Sequence, residues 1–248
     1  MRIARLSVML LLYAIRCPLY AIMITAVIFD LDDTLYDEVE YCRSGFRAVS
    51  AYLADSYKMP DAGRIFDALW GQFSAGNRTK TFDSVLEQFE ITHSEKLIAG
   101  LVRTYREHTP QISLPDDSRD TLRHLREGRY KLALLTDGFL PAQQLKVKAL
   151  GIEKDFDCIL YTEQLGRQFW KPSPAGFDKI MKDLAVQPAE TVYVADNTEK
   201  DFVTPNKLGM MTVQMLRPAR LHNAPAKGPD FAAQYVIRKI SRLPDLFG

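Results

Sequence analysis

Three cysteines, four histidines and a formal net charge of +1 leave several function classes with little to build on. Cys17, Cys42 and Cys158 are odd in number and widely spaced. Such a set fits neither a disulfide framework nor a zinc site, and it suits a reducing cytoplasm. His93, His108, His124 and His222 stand at no metal-ligand spacing and read as surface or helix-face residues. Lysines and arginines number 32 against 31 acids, with no dense basic block. That balance gives no support for a nucleic-acid partner. An apolar run long enough to cross a bilayer is also missing. Val8 to Ile15, behind Arg2 and Arg5, resembles the start of a signal peptide, but Arg16 and Pro18 break it too early to span a membrane. No small-x-small cleavage site follows. Met23 directly precedes the first core segment, so residues 1–22 are expected to be an extension outside the fold.

What is present is an ordinary globular composition, 47% hydrophobic and 25% charged over 248 residues. That length allows one large domain or a domain with an insert. Its most informative segment is Ala26-Val27-Ile28-Phe29-Asp30-Leu31-Asp32-Asp33-Thr34. Four uninterrupted apolar residues read as a strand buried on both faces. Asp30 and Asp32 then emerge together at its end. Adjacent carboxylates raise each other's pKa, and a divalent cation removes that cost. The segment therefore predicts a metal-assisted site at the carboxyl edge of a parallel sheet.

The period then changes. Val39, Cys42, Phe46, Val49 and Leu53 fall on one helical face, and three further stretches do the same up to Tyr105. Asp61 (after Pro60) and Ser94 (before Glu95) read as helix starts, and Gly76-Asn77-Arg78-Thr79 as a loop. Beyond residue 110, strands and helices alternate: helices over 117–127, 141–150, 174–184 and 205–208, strands over 131–135, 158–161, 191–195, 211–215 and 235–237, then a short closing helix. Such alternation means a parallel sheet with right-handed crossovers. The predicted fold class is α/β, a Rossmann-like three-layer parallel sheet with an inserted four-helix cap. Residues 23–37 and 111–248 form the core, and 38–110 the cap.

Polar motifs recur in order at the strand and helix boundaries: Asp30-x-Asp32-x-Thr34, Thr136-Asp137-Gly138, Lys171-Pro172, and Asp196 with Asp201. Each alone is weak; together and in sequence they are specific. From Met23 to the C-terminus the chain resembles the haloacid dehalogenase superfamily, in particular phosphatases with a helical cap after the first motif. That resemblance implies Mg2+-dependent hydrolysis of a small phosphate monoester through an aspartyl-phosphate. Asp30 is then the nucleophile and Asp32 the general acid and base, with Thr136 and Lys171 also catalytic. Thr136, Asp137, Gly138 and Lys171 bind the phosphoryl group, and Asp30, Asp32, Asp196 and Asp201 hold the Mg2+, Asp32 through its backbone carbonyl. Asp33 reads as a turn residue, and Asp201 has the alternative of pairing with Lys200. Ala195 where Gly is commoner, and Asp137 where Asn is commoner, are departures from the pattern. The partner implied is a small phosphorylated metabolite (a nucleotide, flavin mononucleotide or a sugar phosphate), with no nucleic acid or membrane, for a cytoplasmic monomer or homodimer. A dehalogenase has no need of Asp32. A phosphomutase or phosphotransferase of the same family, or a non-catalytic binding module, stays open as an alternative. Tyr36, Asp37 and Glu38 sit at the expected cap entrance. Arg43, Arg47, Arg78 and Lys80 are candidates for a second anionic group on the substrate.

Overall fold

The structure, a computed structural model, describes residues 23–57 and 61–247. The expected leader, with Cys17, and Pro60 lie outside those residues. Strand β1 (Ala26–Phe29) is followed by helices α1 (Glu38–Tyr57), α2 (Ala62–Ser74), α3 (Thr81–Gln88) and α4 (Glu95–Glu107). The alternating part then runs α5 (Asp116–Glu127), β2 (Lys131–Thr136), α6 (Ala142–Leu150), β3 (Cys158–Tyr161), α7 (Ala175–Leu184), β4 (Thr191–Ala195), α8 (Val203–Leu208), β5 (Met211–Met215) and β6 (Tyr235–Ile237). Strand order is β3-β2-β1-β4-β5-β6, every neighbouring pair parallel. The chain is α/β, as predicted.

The sheet is buried because its residues divide between two apolar layers. Val27, Phe29, Leu132 and Leu134 pack with Leu122 and Leu125 of α5 and Val147 of α6. Ala26, Ile28, Ala133 and Leu135 face the other way, onto Phe177 and Ile180 of α7. Helices α1–α4 have a core of their own, in which Cys42, Phe46, Val49 and Leu53 meet Ile65, Leu69 and Leu86. Asp61 caps α2 by accepting from the Gly63 N–H at 2.6 Å, and Ser94 caps α4. Gly151 ends α6 in the left-handed conformation, φ 68°.

Two expectations shift. Helix α8 starts at Val203 rather than Pro205, because a proline is tolerated in a first turn whose N–H groups are unpaired anyway. The closing helix is instead two short 3-10 turns, Ile240–Arg242 and Pro244–Leu246; Pro244 cannot donate to a continuing helix. No helix among the described residues is long and apolar enough to cross a membrane.

Candidate active site

The order in which strands are added reverses beside β1: β2 and β3 build one way, β4 to β6 the other. The crevice at such a switch point is where open α/β sheets bind ligands. Asp30 follows β1 and Asp196 follows β4, so the crevice opens between two buried carboxylates, each under 5% exposed. Asp201 completes the group: one carboxylate oxygen from each of the three lies within 4.8 Å of the others.

Lys171 balances this charge. Its buried Nζ lies 2.6 Å from Asp30 Oδ1 and 2.8 Å from Asp201 Oδ1, and donates to Tyr193 Oη at 3.0 Å. Burial disfavours its cation, but Asp201 and Asp30 outweigh that and hold it well above the ordinary lysine range. Burial, with repulsion from Asp201, raises Asp30 to about 6 despite Lys171. Among the described residues no lysine or arginine nitrogen lies within 4.0 Å of the Asp196 carboxylate, and Lys200 offsets only part of its charge. Burial and then Asp201 and Asp30 push it to about 10, and its buried Oδ2 has no hydrogen-bond partner. An unpartnered carboxylate oxygen beside two further carboxylates is the donor set a hard divalent cation takes. The residues present therefore fit Mg2+. Asp201 pairs with Lys171 and accepts from the Asn197 N–H at 2.9 Å, rather than pairing with Lys200.

Asp32 points elsewhere. Lys146 Nζ lies 2.8 Å from both of its oxygens, Tyr36 Oη donates at 2.5 Å and Gln143 Nε2 at 2.9 Å. Burial would raise this carboxyl, but Lys146, with Tyr36 and Gln143, holds it below its usual value. Gln143 also donates to Thr136 Oγ1 at 2.6 Å and to the Asp137 carbonyl at 3.0 Å, so it ties the ends of β1 and β2 together. Gly138 has φ +146°, and a Cβ there would meet Gln143 at 2.8 Å. Only a residue without a side chain leaves this amide in place.

The charge on Asp137 is satisfied locally. Its Oδ1 accepts from Thr162 Oγ1 at 2.8 Å and from the Lys171 N–H at 3.2 Å, and Oδ2 pairs with Lys200 at 3.1 Å. Burial opposes ionisation, yet Lys171 and Lys200 keep the carboxyl below its ordinary range. Asp33 is a turn residue, φ 53°, but a buried one. Its carboxylate accepts from the N–H of Glu38 at 2.9 Å and of Leu221 at 2.6 Å, pinning the start of α1 and the loop after β5.

Sequence reasoning missed Lys146, Gln143 and Tyr193. A signal existed for two of them. Ala142, Gln143, Lys146, Val147 and Leu150 form the buried stripe of α6, where Gln and Lys are out of place. Tyr36 is fully buried against Asp32 rather than standing at an entrance. Arg43 and Arg47 stack on Trp70 (4.7 Å) and Phe66 (5.5 Å) within the insert. They also line a crevice with Lys148 of α6 that contains none of the clustered aspartates.

Comparison with known proteins gives the family of the chain. The chain is 32% identical over 201 residues to a glyceraldehyde 3-phosphate phosphatase of Methanopyrus kandleri, covering 79% of this chain and 85% of that protein. A pyrophosphatase of Halalkalibacterium halodurans is 25% identical over 91% of this chain and 97% of its own length. Among solved structures, a phosphatase from Thermococcus onnurineus superposes with a TM-score of 0.60 at 24% identity, covering 91% of this chain and 98% of that one. A 2-haloacid dehalogenase from Pseudomonas syringae does so at 0.59 and 23%, covering 90% and 98%. The two solved structures share the fold. Residues 27–215 match the family model of the haloacid dehalogenase-like hydrolases, and the chain belongs to that family.

Proposed function

We propose that this chain hydrolyses small phosphate monoesters, with Asp30 as the nucleophile. The observation that carries the reading is the buried group Asp30, Lys171, Asp201 and Asp196 at the crevice between β1 and β4. The named activities of the relatives, glyceraldehyde 3-phosphate phosphatase and pyrophosphatase, support it. Helices α1–α4, residues 38–110, act as the cap, and residues 23–37 and 111–248 as the catalytic core.

Lys171 holds Asp30 Oδ1, which leaves Oδ2 to bond to phosphorus. As that bond forms, the ester P–O bond breaks and the departing oxygen takes a proton from Asp32. Thr136 Oγ and the N–H groups of Asp137 and Gly138 receive the phosphoryl oxygens, with Lys171 offsetting their charge. Asp32 then accepts a proton from water as the water oxygen bonds to phosphorus and the Asp30 carboxylate leaves. The Lys146 contact favours the ionised form of Asp32, which suits this second half; the first half requires that contact to loosen. Mg2+ held by Asp30, Asp196, Asp201 and the Asp32 carbonyl supplies positive charge that lessens repulsion between carboxylate and phosphate. Cys42 and Cys158 are free thiols, in keeping with a cytoplasmic setting.

The test is turnover of a panel of phosphate monoesters with Mg2+ or with EDTA, alongside Asp30→Asn. We expect Mg2+-dependent release of inorganic phosphate, at least about a thousand-fold lower in the variant. No release from any member by folded, metal-loaded protein overturns the reading.

A further inference from the structure

A second cavity, of about 290 Å³, lies in the insert. Phe46, Phe73, Phe82 and Tyr105 line it with Arg78 and Arg106; Asp83 lines it too, its carboxylate 3.8 Å from His93 Nε2. Contacts tie both arginines to the candidate active site. The Arg106 guanidinium, at the end of α4, stacks 3.6 Å from the ring centre of Phe139, the residue after Gly138. Arg167 of the core packs on the same ring at 4.2 Å. Arg78 donates to the Leu221 carbonyl at 3.4 Å, and the Leu221 N–H is the one held by Asp33.

Neither arginine is neutralised. Among the described residues no carboxylate lies within 4.0 Å of Arg78 or Arg106. Burial and then Arg167 work against the charge on half-buried Arg106. The phosphoryl site already has its own cations, Lys171 and Lys200, each paired with aspartate. Two guanidiniums with no carboxylate within 4.0 Å, in a cavity lined largely by apolar side chains, thus add positive charge the transferred phosphate does not need. An anion there would accept charge-assisted hydrogen bonds, and the apolar walls would cover a short carbon skeleton.

We propose that Arg106, assisted by Arg78, is a specificity-determining residue that receives a second negative charge, carboxylate or phosphate, on the leaving group of the substrate. This rests on the phosphatase reading above, and it narrows the substrate class to phosphate esters of anionic alcohols. It also moves the recognition site from the crevice lined by Arg43 and Arg47 to the cavity lined by Arg78 and Arg106.

The matched probes are phosphoglycolate, whose leaving group carries a carboxylate, and ethyl phosphate, whose leaving group does not. Calorimetric binding to Asp30→Asn protein with Mg2+ reads the site without turnover. We expect phosphoglycolate to bind at least about tenfold more tightly. Adding Arg106→Gln should remove that preference while the affinity for ethyl phosphate stays within about twofold, and Arg106→Lys should restore part of it. In otherwise unmodified protein, Arg106→Gln should raise KM for phosphoglycolate and leave kcat nearly unchanged. Equal binding of the two probes, or equal loss of both in Arg106→Gln, overturns the proposal. Preferential binding of phosphoglycolate without turnover of any ester would support the anion site and sink the hydrolase reading.

Discussion

Lys146 Nζ stands 2.8 Å from each carboxylate oxygen of Asp32 and 3.7 Å from Glu38, the first residue of α1. One buried cation therefore joins the proposed acid–base group to the insert. It also lies 4.2 Å from the ring centre of Tyr41, one helical turn further along α1. A displacement of α1 changes what surrounds Asp32, which links the position of the insert to the protonation of the site.

Replacing Lys146 by Met removes the strongest influence holding Asp32 down. Its carboxyl then rises, and the base form appears only at higher pH. As the proton donor of the first half, Asp32 sets the alkaline limb of the kcat/KM profile, and K146M should move that limb upward by about one pH unit. It should also lower stability to urea by about 3 kcal/mol, since a buried partner is left behind. An unmoved alkaline limb would remove Lys146 from any role in tuning Asp32.

Metal binding and pH should be coupled. Asp30, raised to about 6, and Asp196, raised to about 10, hold protons in the folded chain where an unfolded carboxyl at 3.8 has lost them. Their contribution to stability is full below 3.8 and is lost as pH rises, through about 6 for Asp30 and toward 10 for Asp196. EDTA-treated protein should therefore melt lower at pH 8 than at pH 5. Mg2+ at 100 times its Kd adds about 2.7 kcal/mol, and at one fixed Mg2+ concentration its effect on the midpoint should be larger at pH 8, where less proton displacement opposes binding. Equal Mg2+ shifts at both pH values in scanning fluorimetry would show that binding displaces no protons.

Asp33 serves structure rather than chemistry. Asn tolerates its left-handed backbone, but its amide has one oxygen for two N–H donors. Asp33→Asn should cost about 1–3 kcal/mol in urea unfolding while kcat falls little. A collapse of kcat at unchanged stability would place Asp33 in the reaction.

Gly138→Ala tests the loop after β2. A Cβ there collides with Gln143, whose amide bridges Thr136, Asp137 and Asp32. Activity should fall about a hundredfold, more than stability would account for, because small misplacements at a reacting centre are amplified. Wild-type kcat/KM in this variant would show that Gln143 positions nothing essential.

The sequence alone settled the sheet and its order of motifs. Ala26–Phe29 and Cys158–Tyr161 stand where unbroken apolar runs placed them, and Thr191–Ala195 and Met211–Met215 where mostly apolar stretches did, because a strand buried on both faces carries few polar residues. Asp30, Thr136, Lys171, Asp196 and Asp201 were legible as well, since each follows directly from a strand end or a short motif. The insert's core was readable from its helical period, through Cys42, Phe46, Val49 and Leu53. Tertiary structure decided the partners. Lys146 meets Asp32 across 114 residues, and Arg106 meets Phe139 only because α4 returns beside the end of β2. Periodicity reports which face of an element is buried, not which element lies against it. The pairing of charges, and with it the setting of each proton affinity, arises only when distant segments are packed together.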